Sequence, residues 1–158
     1  MNTDRRLSHW FIGYVTVLLF FAVGAITTLG IGWYETLILP AWMPPTELVA
    51  FVWAALFILT GISAAIVWDA TEMNRSARTL ISLYAGNALL ILFWNYLFFG
   101  VHILSEASGV AFIIGLSVIV LVVRVSPISR RAALLLIPYL VWVILAFYLN
   151  YLVMALNP

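Results

Sequence analysis

Charged residues fall at intervals along the chain and leave five uncharged, mostly apolar runs: 7–34, 48–68, 79–105, 107–123 and 132–158. Each supplies a helix near the ~20 residues needed to cross a bilayer, with 107–123 the shortest. The pattern predicts helices over about 10–29, 47–68, 77–100, 106–124 and 131–155, with a loop over 30–46. No run has the polar face that an outer helix of a soluble all-helical core needs. The expected fold is an all-α integral membrane protein, a five-transmembrane-helix bundle forming one domain over 1–158.

Polar positions inside the runs are few, so each carries weight. Asn87 and Asn95 lie eight apart, a little over two helical turns, and are read as sharing a face with Ile91 beside Trp94. An unpaired amide in hydrocarbon is costly, so both are expected to point into the bundle, either as interhelical glue or as the lining of a ligand cavity. In the last run Trp142, Ala146 and Asn150 are four apart and present an aromatic ring, a gap and an amide along one face. Pro138 just before them removes a backbone hydrogen bond and is expected to kink the helix. Small residues recur at four-residue spacing in Gly24 and Thr28, in Gly61 and Ala65, and in Ala107, Ala111 and Gly115, a pattern that permits close helix packing. Gly30 and Gly32 are expected to end the first helix.

Between the first two runs, residues 40–53 read PAWMPPTELVAFVW and hold three of the six prolines and two tryptophans. Pro44 and Pro45 cannot continue a helix from upstream but are well placed to start one, so a helix is expected near Thr46, with Glu47 in its first turn at the positive end of the dipole. Trp53 follows about two turns in. The segment reads either as a membrane-interface turn with belt tryptophans or as a rigid lid, formed by Trp42, Pro44 and Pro45, over a cavity.

Composition confirms the class: 66% of residues are hydrophobic and 8% charged, with a mean hydropathy of +1.16, against about a quarter charged in soluble domains. The first run is too long for a cleaved signal peptide and counts as a true span. Every basic residue is arginine, at 5, 6, 75, 78, 124, 130 and 131. By the positive-inside rule the N-terminus is expected to be cytoplasmic, with the 30–46 loop on the outer face. There is no cysteine, and His9 and His102 are expected at opposite membrane faces, so no metal site is expected. Asp69, Glu72, Arg75 and Arg78 read as a solvated turn. No phosphate loop, paired carboxylates, nucleophile relay or mid-span acid or base is present. What remains is aromatic surface and a few amides, the inventory of a pocket for a large apolar ring.

The residues Trp33-Tyr34, Pro40-Ala41-Trp42-Met43-Pro44-Pro45, the segment from Phe51 to Phe57 around Trp53, Trp94 with Phe98, Phe99 and Gly100, and Pro138-Tyr139-Leu140-Val141-Trp142 with Ala146, Leu149 and Asn150 carry a resemblance over nearly the whole length. The chain resembles the TspO/translocator protein family, also called tryptophan-rich sensory proteins or peripheral-type benzodiazepine receptors. The resemblance implies a five-helix bundle, a homodimer, and a cavity under the loop between spans one and two. It implies binding of protoporphyrin IX, sterols, or synthetic benzodiazepine-type and isoquinoline carboxamide ligands. Carried over by position, Tyr34, Trp53, Phe57, Trp94, Asn95, Trp142 and Ala146 would line the pocket, with Asn87 and Asn150 as further amides. Trp53 and Trp142 match the tryptophans tied to light- and oxygen-dependent porphyrin breakdown, the only catalytic roles the resemblance suggests.

Two departures bear on ligand choice. Many relatives place Asn where this chain has Ile91, which leaves Asn87 as the nearest substitute. The sterol-recognition pattern needs a basic residue after its tyrosine, and Tyr151 is followed by none. The reading is a multi-pass membrane receptor for tetrapyrroles and other large apolar rings, with a role in porphyrin handling or stress signalling, in a bacterial or archaeal plasma membrane, with no required cofactor and no nucleic-acid partner. The alternatives are a porphyrin-degrading protein and a transporter of tetrapyrroles or lipids.

Overall fold

The computed structural model describes residues 3–71 and 75–158, with side chains from 9 to 71 and from 78 onward. Five helices follow in order: α1 Thr3–Tyr34, α2 Thr46–Ala70, α3 Arg75–Asn95, α4 Leu104–Val125 and α5 Arg130–Leu156. A π-helical turn, Tyr96–Gly100, extends α3. All five helices contain a stretch long and apolar enough to cross a membrane. Large apolar side chains such as Phe11, Phe21, Leu89, Phe93, Val123, Leu134 and Val141 stand exposed on the outside. Such a surface is stable against lipid rather than water. The chain is therefore a multi-pass integral membrane protein. Glu72 lies outside the described residues, as do the side chains of Arg5, Arg6 and Arg75.

Local signals account for the helix ends. Pro45 stands at the N-cap of α2, Thr46 opens the helix and Glu47 sits in its first turn. Ser129 caps α5, its side chain accepting from the backbone N–H of Ala132, and α5 then runs unbroken through Pro138. The stripe on α4 packs against α5: Ala107 and Ala111 are buried, and a Cβ on Gly115 would meet Val143 at 3.7 Å, an ordinary contact. Gly61 of α2 lets Thr16 of α1 come close, within 2.8 Å of where a Cβ would stand.

Three expectations about α1 need correction. Gly30 and Gly32 do not end the helix, which continues to Tyr34, so the connecting loop is residues 35–45. Gly30 instead serves close approach: a Cβ there would lie 2.2 Å from the backbone oxygen of Phe99. Gly24 has nothing within 4 Å of its Cβ position, so it seats no other helix of this chain. Gly30 is the one buried residue of α1 among those described. The first helix thus lies along the bundle and comes closest to it at two places, Gly30 against Phe99 and Thr16 against Gly61.

Two apolar cores fill the interior. One, around Leu56, Ile91, Phe98, Tyr139, Val143 and Val153, lies toward the 35–45 loop. The other, around Val67, Leu80, Leu121, Val125 and Leu136, lies toward the opposite end. Buried polar groups there are satisfied across helices: Tyr84 donates to Ser63 Oγ at 2.7 Å, and Ser63 donates to the carbonyl of Ala132 at 2.8 Å. At the far end His9 Nε2 pairs with Asp69 at 2.9 Å. That contact is exposed and worth little.

Candidate functional site

A cavity of about 330 Å³ lies under the 35–45 loop, walled by α1, α2, the end of α3 with its π-turn, and α5. Helical spacing delivers its lining in stripes. Trp53 and Phe57 are one turn apart on α2, and Trp142, Ala146 and Asn150 are successive turns of α5. Tyr34 arrives as the last residue of α1. The π-turn widens the backbone repeat, with Val101 N–H donating to the Tyr96 carbonyl at 2.9 Å, and both Phe98 and Phe99 join the wall. Their rings lie 4.8 Å apart, Trp94 stacks on Phe98 at 5.3 Å, and Tyr34 packs against both. On the other side Trp53 leans on Phe57 at 5.7 Å and meets Tyr139 edge-on.

Tyr34, Trp53, Phe57, Trp94, Asn95, Trp142, Ala146 and Asn150, scattered over the sequence, therefore line one cavity. Asn87 does not. It faces a second cavity of about 280 Å³ between α1, α2, α3 and α5. Its amide is engaged there, donating to Ser117 Oγ at 2.7 Å and accepting from Tyr139 OH at 2.9 Å. The reason is helical drift: at 3.6 residues per turn, eight residues advance about 80° beyond two full turns, so Asn87 and Asn95 flank Ile91 instead of sharing its face. Ile91 and Phe57 line both cavities and stand between them. Asn87 thus does not stand in for an amide at position 91.

The other amides differ in what they leave free. Asn150 accepts from Trp94 Nε1 at 3.0 Å and donates to Ser108 Oγ, fixing the Trp94 ring. Asn95 donates to Thr27 Oγ1 at 3.0 Å, but its Oδ1 has no partner, and neither has the Trp142 Nε1–H. A buried polar atom without a partner costs about 1–3 kcal/mol, and a group so placed calls for an explanation.

The loop does not cover the cavity with Trp42, Pro44 and Pro45. Met43 and Thr46 line it instead, while Trp42 stacks outward on Tyr148 at 6.0 Å. The prolines act at one remove, by fixing where α2 begins. Sequence reading also missed the clasp that ties the loop down: Asn157 accepts from the Ile38 N–H and donates to its carbonyl, both at 2.9 Å. No local pattern signals that pairing, since the partners are far apart in the chain. His102, read as a solvated loop residue, is exposed but has its ring stacked on Trp33 at 4.0 Å, on a backbone with φ 64°.

The cavity opens on one side. Its lining residues Phe20, Gly24 and Thr28 on α1 and Thr46 and Ala50 on α2 are exposed, whereas Phe57, Asn95, Phe98, Leu149 and Asn150 are buried at the back. The mouth is thus a slot between α1 and α2.

Residues 11–156 match the TspO/MBR family. The chain is 35% identical over 137 residues to Protein CrtK of Rhodobacter capsulatus, covering 87% of this chain and 85% of that protein. It is 36% identical over 145 residues to the Tryptophan-rich protein TspO of Chlorobaculum tepidum, covering 87% and 88% respectively. To the Translocator protein of Ovis aries it is 32% identical over 123 residues, covering 77% and 73%.

Proposed function

Because the chain belongs to the TspO/MBR family, we propose that it is a membrane receptor holding tetrapyrroles such as protoporphyrin IX, and other large apolar rings, within the helix bundle. One observation carries this reading: Trp53, Trp94 and Trp142 converge with Tyr34, Phe57, Phe98 and Phe99 on a single cavity inside the transmembrane region. A flat conjugated guest gains from stacking or edge contact with such rings, about 0.5–1.5 kcal/mol for each well-placed pair beyond its apolar burial. The volume stands at the low end of the roughly 300–1,000 Å³ of small-molecule sites. A tetrapyrrole in this site extends into the slot between α1 and α2. The membrane we assign is the plasma membrane of a bacterium or archaeon.

The test is a protoporphyrin IX titration in detergent, followed by quenching of tryptophan fluorescence and by the porphyrin absorbance. Saturable binding is expected, weakened about tenfold by Trp53→Phe combined with Trp142→Phe. Unchanged affinity in the double variant would remove the ligand from this cavity.

A transporter reading draws on a different feature, the second cavity separated from the first by Phe57 and Ile91. It predicts tetrapyrrole or lipid flux into proteoliposomes that Phe57→Ala accelerates and the double tryptophan variant abolishes. Equal accumulation in protein-free liposomes would rule it out.

A further inference from the structure

The charge around the cavity is distributed in a way that selects among ring ligands. Not one of its lining residues carries a charge. At the cavity's end of the bundle the described charged side chains are Glu35, at the start of the loop, Glu47, next to the lining residue Thr46, and Glu106, at the start of α4. All three are acidic and exposed. Of the neighbouring groups that carry no fixed charge, His102 has its ring on Trp33, Tyr34 stands in the wall and Tyr96 opens the π-turn. The arginines with described side chains, Arg78, Arg124, Arg130 and Arg131, stand at the opposite end. At 1.5 Å per residue, the 25 residues of α2 put roughly 37 Å between the two ends. At that separation no arginine reaches an anion in the cavity to pair with it.

Two neutral atoms in the wall point the same way. Among the described residues, the buried side-chain polar atoms left without a partner are Asn95 Oδ1 and Trp142 Nε1, and both residues line this cavity. One is an acceptor and the other a donor. Both atoms are closed off from the open space of the cavity, so a guest meets them only where those side chains turn; an uncharged carboxylic acid or amide then offers the complement of both, while a carboxylate can only accept. A carboxylate brought into this wall would be a buried charge with no counter-ion.

We infer that the cavity selects ring ligands in their uncharged form: a porphyrin binds with its acid groups protonated or esterified, and a neutral ring amide binds without regard to pH. This rests on the ring-binding reading above and adds the ligand's charge state to it. The carboxylates at this end of the bundle add repulsion, so anionic tetrapyrroles bind poorly at neutral pH and better as their carboxyls protonate, a change centred near pH 4–5 in water and higher in an apolar site.

The experiment compares protoporphyrin IX with its dimethyl ester, from pH 5 to pH 8, on the full chain in one detergent. The ester is expected to bind about tenfold more tightly at pH 8, with a gap that narrows toward pH 5 because only the acid's affinity rises. Partition into the micelle also favours the ester, so a second variant separates the two causes. Glu35→Lys with Glu47→Lys, both at exposed positions, is expected to raise the acid's affinity about threefold and leave the ester's unchanged. A ratio below threefold at pH 8 overturns the inference while leaving ring binding intact. So does a lysine variant that moves both ligands equally. If neither porphyrin binds saturably, the ring-binding reading fails and this inference fails with it.

Discussion

Replacing Gly30 by alanine adds one methyl group at the glycine with the least room for it. The new Cβ would lie 2.2 Å from the Phe99 backbone oxygen and 2.8 Å from its carbonyl carbon and Cβ. Ordinary contact begins at 3.4 Å, so α1 and the π-turn would have to part by about 1.2 Å (3.4 minus 2.2). No side chain can swing aside, because the obstacle is backbone. Overpacking of this kind costs about 1–3 kcal/mol or more, against which alanine returns about 0.8–1.0 kcal/mol of helix propensity. Gly32, two residues on in the same helix, has nothing within 4 Å of its Cβ position. Gly32→Ala therefore receives the propensity gain without the clash. The net loss is about 0–2 kcal/mol, so at roughly 2–4 °C per kcal/mol for a chain of this length Gly30→Ala is expected to lower the unfolding midpoint in detergent by up to about 8 °C, while Gly32→Ala holds or raises it. Because Phe98 and Phe99 belong to the displaced turn and line the cavity, Gly30→Ala also weakens ring binding. Equal midpoints for the two variants, measured by thermal denaturation of each in the same detergent, would refute the close-approach role of Gly30.

Two further outcomes follow from the hydrogen bonds. Asn87→Leu strands Tyr139 OH in a buried site and removes the Ser117 link. It is expected to cost about 2–4 kcal/mol by thermal unfolding, part of which returns when Tyr139→Phe is added, while porphyrin affinity changes less than twofold. Asn157→Ala releases the Ile38 clasp, an exposed pair of bonds. Stability is expected to fall by no more than about 1 kcal/mol, with ligand release about fivefold faster in stopped-flow and faster amide exchange over residues 35–45.

How far the sequence foretold this arrangement depended on the range of the interaction involved. The five spans, the start of α2 at Thr46 and the Trp142, Ala146, Asn150 stripe are local matters of charge spacing, proline geometry and a one-turn repeat. The Asn87 and Asn95 expectation used the same periodicity over two turns, where the 80° drift is large enough to put them at different cavities. Gly30 was read as a helix breaker because a lone glycine looks alike whether it ends a helix or admits a neighbour. Only the position of Phe99, 69 residues later, decides between the two. The π-turn escaped for a related reason, since Tyr96–Gly100 has no composition that an α-helix lacks. The Asn157 clasp depended on where two chain segments 119 residues apart come to rest.

These misses share a cause that bears on function. Both cavities take one wall from α1: residues 11–19 in one, and residues 20–34 in the other. They exist because α1 does not settle onto the bundle along its length, and long-range contacts decide where it does. At Gly30 the helix meets the π-turn backbone and at Thr16 it meets Gly61. Away from those points, bulky Phe57 and Ile91 fill the middle and leave space above and below. A glycine in α1 and a glycine in α2 therefore fix the cavity's dimensions, although neither offers a side chain to a ligand. Residues that touch a guest set which ring binds, whereas these two contacts set how much room it finds. Ligand affinity should accordingly respond to Gly30→Ala even though the wall keeps every aromatic side chain it had.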